Sequence, residues 1–175
     1  SSELCPEREL SGSEWAALIS RQNYQELREI HILGGQADLD KARVLIADLS
    51  AALPSTIEIV NAVGKYKLRD SVQVILATDQ FLSIDSGLNH VVSYLNMNIA
   101  SFWGPTNPQR LLGTAYSLRE EVNYKPLFCS PCVHLIVDAP CKGNNLCMQQ
   151  HTRKISSDEV EGGWIIHIEK EKKLL

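Results

Sequence analysis

The sequence predicts an α/β protein: a Rossmann-like parallel sheet with helices on both faces. Three observations predict it. Short apolar runs (EIHIL, TIEIV, FLSI and IASFW) alternate with amphipathic stretches at intervals of roughly 20–30 residues, the pattern of strand–helix–strand crossovers. A glycine follows each run closely, as tight loops at strand ends require. The chain has 175 residues, of which 44% are hydrophobic, enough for one domain with a core of its own. Crossovers of this kind are nearly always right-handed.

The elements follow in order. Residues 1–11 are polar and read as a linker or a cloning remnant. Ser11 or Ser13 can cap a first helix that carries Trp15, Leu18, Ile19 and Leu27 at helical spacing. Residues 29–35 read as a buried strand running into a tight loop. Asp38 opens a second helix, with Ala42, Leu45, Ile46 and Leu49 on one face, and Pro54 closes it. Residues 56–60 form a second strand, 68–77 a helix, 81–84 a third strand, 86–96 a helix, 99–103 a fourth strand and 104–108 a turn. The Rossmann-like domain thus covers 12–120. Residues 121–175 read as a cysteine-containing loop region, interrupted by Pro126, Pro131, Pro140 and Gly143, and a tail. In that tail 156–160 resembles a capped helix start, and 164–175 fits strand and helix equally.

Composition excludes several function classes. Net charge is −4, so the basic face of a general nucleic-acid binder is not expected. No apolar run is long enough to span a bilayer, and no signal-peptide pattern opens the chain, which points to a cytoplasmic protein.

The most informative stretch is Asp85-Ser86-Gly87 with His90, at the carboxyl end of the third strand. Ligands of open parallel sheets bind beyond such ends. A helix starting there offers unpaired N–H groups to an anion. Gly87 lets the anion approach, Ser86 adds a hydroxyl, and His90 follows on the same helical face. Asp85 can cap the helix, orient His90 or bind a ligand hydroxyl. A plainer reading fits the same residues: a capped helix with a packing glycine and a surface histidine. Three more loops emerge on the same edge: Gly34-Gly35 with Asp38, Gly64-Lys65-Tyr66, and Gly104-Pro105-Thr106. Their convergence favours a cleft.

These residues resemble a family. D-S-G-x-x-H (85–90), followed by an apolar helix, a strand and G-P-T-N-P (104–108), resembles the carboxy-terminal half of the bacterial glycosyltransferases that include the lipopolysaccharide heptosyltransferases. I-L-G-G-Q-A-D (32–38) is similar to that family's glycine loop, and G-K-Y-K-L-R-D (64–70) to its G-K-x-x-L segment. C-S-P-C…C…C-M (129–148) is similar to a cysteine pattern of many members. The resemblance covers about residues 8–160.

The resemblance implies a GT-B enzyme of glycosyltransferase family 9, built from two Rossmann-like domains facing a cleft, of which this chain is the donor-binding half. It implies that Asp85, Ser86, Gly87 and His90 hold the pyrophosphate and sugar of a nucleotide sugar, an ADP-linked heptose. It places Asp38 near the ribose, Tyr66 at the base, Lys65, Gly35 and Thr106 on the same rim, and Arg8 near a phosphate-binding position. Asn107 stands where an aspartate is common. Transfer would be inverting, with the acceptor site and general base in an amino-terminal domain outside this chain. The implied partners are that domain and, through it, a lipid-linked saccharide acceptor, with the whole protein peripheral at the inner membrane. No cofactor is required. By this account the chain alone is inactive. Two alternatives remain: half of a sugar-nucleotide epimerase, and a non-catalytic metal-binding or interaction module on a GT-B-like domain.

Cys129, Cys132, Cys141 and Cys147 could enclose a zinc ion, since Cys-x-x-Cys is a common half-site. The wider spacing of the second pair is less typical, so reduced or disulfide-paired structural thiols rank ahead of zinc. Cys5 lies in the polar start and is incidental.

Overall fold

The computed structural model describes residues 8–21, 27–112, 119–133, 135 and 141–155. Within them, five strands pair entirely in parallel. β1 (Glu29–Ile32) pairs with β2 (Glu58–Asn61), in register from Glu29 opposite Glu58 to Ile32 opposite Asn61. β3 (Phe81–Ile84), β4 (Ile99–Trp103) and β5 (Glu120–Tyr124) form a second ladder with β4 at its centre. The parallel α/β architecture read from the sequence is what forms, with the strands in two hydrogen-bonded groups.

Side chains of successive strand residues alternate between faces, and the core follows that alternation. Ala100 and Phe102 of β4 and Leu82 of β3 pack with Leu10, Trp15 and Leu18. The adjoining cluster joins Ile30 and Ile32 of β1 to Leu49, Leu53 and Ile57. This face is covered by α1 (Gly12–Ile19) and α2 (Leu39–Ala52). The opposite face places Ile99 and Phe81 against Ile75, Leu88 and Val92, from α3 (Leu68–Leu76) and α4 (Gly87–Val92). Helices therefore lie on both faces.

Local chemistry sets the boundaries. Ser11 caps α1 in a reciprocal box with Glu14: the Glu14 N–H donates to Ser11 Oγ at 3.3 Å, and the Ser11 N–H donates to Glu14 Oε2 at 2.7 Å. Of the two serines expected to cap, Ser11 does so. A 3-10 turn, Gln36–Asp38, precedes α2, and Pro54 follows it. The loops after β1 and β2 are joined by the Gly64 N–H donating to the Gly34 carbonyl at 3.0 Å. Gly64 has φ +73°, and a Cβ there would sit 2.4 Å from Gln36 Oε1, so another residue would be strained and would displace the Gln36 side chain.

Four features depart from the sequence reading. α1 ends at Ile19, so Leu27, read as part of that helix, lies beyond it. α4 has six residues, not the eleven of 86–96. The Ser93 hydroxyl bonds the Asn89 carbonyl at 2.8 Å, a local bond that competes with the helical ladder, and the asparagines beyond it are poor helix formers. β5 was not anticipated, because Glu120, Glu121 and Asn123 hide the strand signal of Val122 and Tyr124. Two short helices were not anticipated: α5 (Pro108–Leu111), which starts at the last residue of the expected turn, and α6 (Leu146–Gln149), in the expected loop region. The stretches 156–160 and 164–175, and Cys5, lie outside the described residues.

The α6 segment is fixed to the central strand. The buried His151 Nε2 donates to the Trp103 carbonyl at 2.9 Å, and its ring meets the Phe102 ring edge-on. Arg21 donates to the carbonyls of His151 and Thr152 at 2.6 and 2.8 Å. Burial, aided by the charges of Lys125 and Arg21, lowers the His151 pKa below its usual value, against the opposing effect of the Trp103 hydrogen bond. The unfolded chain then takes up a proton near pH 6.5, before the native state does. This stability is present above that pH and is lost as pH falls toward the lowered value. Melting temperature is therefore expected to drop between pH 7.5 and 5.5, and to drop less in His151→Gln, as followed by circular dichroism.

Candidate functional site

The polar cluster forms at the carboxyl end of β3. Asp85 is turned inward, its side chain only 2% exposed. A carboxylate so buried needs partners, and an arginine and a histidine supply them. His90 Nε2 lies 2.9 Å from Asp85 Oδ1, and Arg8 Nη1 lies 3.1 Å from Asp85 Oδ2. The three residues come from separate places: the segment before α1, the end of β3 and the first turns of α4. Ser86, not Asp85, caps α4, its Oγ accepting from the Asn89 N–H at 3.2 Å. Asp85 thus contacts His90, as one of its expected roles requires, and Arg8 as well.

Because Asp85 takes the Nε2 edge of the imidazole, the Nδ1 edge is the one left for a ligand. His90 is about one-third exposed and Arg8 about one-fifth. Gly87 is exposed, and a Cβ built on it would meet nothing within 4 Å. The first N–H groups of a helix have no intrahelical acceptor, so those of Gly87 and Leu88 add donors beside Arg8 and His90. With α4 this short, the helix dipole counts for less than the sequence suggested, and the side chains carry more of the electrostatics.

The other expected site residues are placed variously. Gly35 and Asp38 share one loop: Asp38 Oδ2 accepts from the Gly35 N–H at 2.9 Å. Lys65 and Tyr66 are exposed on the loop after β2. These loops follow β1 and β2, as Asp85 follows β3, each at the carboxyl end of its own strand. Thr106 is buried, 2% exposed, and its hydroxyl finds no hydrogen-bond partner among the described residues. Asn107 caps α5 through its side chain, accepting from the Gln109 N–H at 2.9 Å. A shallow groove of about 760 Å³ lies elsewhere, between α1 and residues 143–153, and its carboxylates, Glu9 and Glu14, suit an anion poorly.

Residues 6–140 match the family profile of glycosyltransferase family 9 (heptosyltransferase). The chain belongs to that family. Among solved structures, this family 9 chain is similar to ADP-heptose lps heptosyltransferase II of E. coli, at 23% identity and a TM-score of 0.55, over 71% of this chain and 36% of that one. It is also similar to the glycosyl transferase family 9 protein of Veillonella parvula DSM 2008, at 21% identity and a TM-score of 0.53, over 73% and 33%. The family 9 chain thus spans about a third of the length of these structures, and at such identities the likeness shows the fold. No curated protein matches it.

The four clustered cysteines of this family 9 chain are free thiols, with Cys132 and Cys147 buried and Cys129 and Cys141 half-buried. Cys132 is held by its N–H donating to the Pro105 carbonyl at 3.0 Å, beside Gly104, on which Cys147 packs. Burial, with the neighbouring thiols, pushes Cys147 up to about 12, so it stays protonated and inert at neutral pH. Among the described residues no group of three or more His, Cys, Asp or Glu is set to hold a metal ion. No helix among them is long and apolar enough to cross a membrane.

Sequence reasoning missed the polar residues behind His90: Asn89, Ser101, Trp103 and Glu120, all buried. One signal for them was present. A tryptophan in a buried strand needs an acceptor for its N–H, and the serine two residues before it shares its face.

Proposed function

We propose that this chain is the donor-binding half of an inverting glycosyltransferase of the heptosyltransferase type, and that the Asp85 cluster receives the diphosphate of a nucleotide sugar. One observation carries the reading: the Arg8 guanidinium and the His90 imidazole, from separate elements, meet on one buried carboxylate beside the open backbone of Gly87. Asp85 fixes both side chains before a ligand arrives, and preorganised donors and dipoles cost no reorganisation when charge develops. As the acceptor oxygen bonds to the anomeric carbon, the bond from that carbon to the diphosphate oxygen breaks. The electron pair leaves with the nucleoside diphosphate. Arg8, His90, Ser86 and the first N–H groups of α4 stabilise that leaving charge. Gly35, Asp38, Lys65 and Tyr66 supply the rim for ribose and base.

The family and the E. coli relative's ADP-heptose donor support an ADP-linked heptose as the sugar nucleotide. The base that deprotonates the acceptor and the site for a lipid-linked saccharide belong, on this reading, to an amino-terminal domain facing the cluster, in a cytoplasmic protein that works at the inner membrane surface. Around the buried Asp85, Gly87 is exposed and His90 partly so, which supports a partner domain facing them.

Calorimetry with ADP- and UDP-linked sugars tests the reading. The 175-residue chain is expected to bind with a micromolar to millimolar dissociation constant, because closure and desolvation contribute less in half a cleft. His90→Ala is expected to weaken binding by about 1–3 kcal/mol, the scale of a lost charge-assisted hydrogen bond. No heat with either sugar nucleotide at millimolar concentration would overturn the reading.

A further inference from the structure

The sheet face behind His90 carries a polar chain whose directions are set by its two ends. The Trp103 indole N–H lies 2.8 Å from Ser101 Oγ. An indole nitrogen can only donate, so Ser101 Oγ accepts, and its one proton is free for Glu120 Oε1, 2.7 Å away. Asn89 Nδ2 donates to the same carboxylate oxygen at 3.5 Å. Trp103, Ser101 and Asn89 are all completely or almost completely buried, and Glu120 is 9% exposed. At the other end, the Trp103 ring meets the His90 ring edge-on, with centroids 6.0 Å apart and planes 75° apart.

A carboxylate in such a place is costly unless it has a use. An apolar residue at position 120 would pack more cheaply beside Ile99, its partner in register. What the carboxylate does is set the Ser101 hydroxyl, which holds the indole, which bounds the imidazole. His90 is then confined on two sides, by Asp85 at its Nε2 edge and by Trp103 at its ring.

We propose that Ser101 and Glu120 are positioning residues of the donor site: acting through Trp103, they hold the His90 imidazole against Asp85 and keep its remaining edge directed to the ligand. This rests on the donor-binding reading above, and deepens it. Neither residue touches the ligand. Their effect on binding passes entirely through the angle of one ring.

The test combines nuclear magnetic resonance of the ligand-free 175-residue chain with calorimetry using ADP as the probe. Ser101→Ala removes both bonds of the chain, Ser101→Thr keeps the hydroxyl, and Trp103→Phe keeps the ring without the N–H. Ser101→Ala and Trp103→Phe are expected to shift or broaden the His90 imidazole resonances and to weaken ADP binding about 3- to 10-fold, on the scale of coupling between contacting residues. Ser101→Thr is expected to restore both. In a His90→Ala background, Ser101→Ala should cost no further affinity. Unchanged His90 resonances, or an equal loss of affinity with His90 already removed, would overturn the proposal. If Ser101→Ala does not fold, Trp103→Phe decides by the same two readouts. If the parent chain does not bind ADP, it is the donor-binding reading that fails, and the His90 resonances still decide whether the ring is positioned from behind.

Discussion

Gly87→Val is expected to abolish nucleoside diphosphate binding while leaving the melting temperature close to that of the parent. A Cβ at Gly87 meets no atom within 4 Å, so the new side chain displaces nothing in the protein. Gly87 is the first residue of α4, next to the cap Ser86, and valine is a better helix former than glycine, so the change carries no helix-propensity cost. The space that a valine fills is the approach to the Gly87 and Leu88 N–H groups and to the edge of His90. A folded variant that binds ADP as the parent does would mean that the cluster is a helix cap with a buried ion pair and nothing more.

Gly104→Val should do the reverse. A Cβ at Gly104 would lie 2.8 Å from both Cys147 Sγ and Met148 Sδ, and 3.1 Å from the Cys147 carbonyl carbon. The sulfurs belong to core residues, and the carbonyl carbon to a helix tied to β4 through His151 and Trp103. Relief therefore requires the α6 segment to move off the sheet. A destabilisation of about 3 kcal/mol is expected, the upper part of the overpacking range. For a domain of this size that lowers the melting temperature by roughly 6–12 °C. The free thiols of Cys132 and Cys147 should at the same time react faster with a thiol reagent, since the packing that buries them is opened. Melting and thiol reactivity equal to the parent would show that α6 is not seated on β4.

Much of the fold was legible because its strands are short apolar runs, of which β4 is buried along its whole length. FLSI and IASFW are apolar runs bounded by glycine and polar turns, and β3 and β4 occupy those residues. β5 was illegible for the opposite reason. It lies at the edge of its ladder and carries Glu120 and Glu121, and Glu120 faces inward for a polar purpose that no periodicity reports. The length of α4 was overestimated because the apolar pattern through Leu95 continues after the backbone has left the helix at Ser93.

The candidate site was legible in part. Asp85, Ser86, Gly87 and His90 are contiguous in sequence and come together as their spacing suggests. Arg8, distant in sequence, reaches Asp85 only because the segment before α1 lies across the ends of the strands. The chain from Glu120 through Ser101 to Trp103 joins two strands in register, and such a relation is set by the fold, not by sequence spacing.

The most direct measurement is a titration of the isotope-labelled 175-residue chain with an ADP-linked sugar, followed residue by residue by nuclear magnetic resonance. The account predicts saturable shifts at Gly87, Leu88, His90 and Arg8, with weaker ones along the rim at Gly35, Asp38, Lys65 and Tyr66. Shifts confined to the groove at Ala17, Asn144 and Gln149, or none at millimolar ligand, would contradict it.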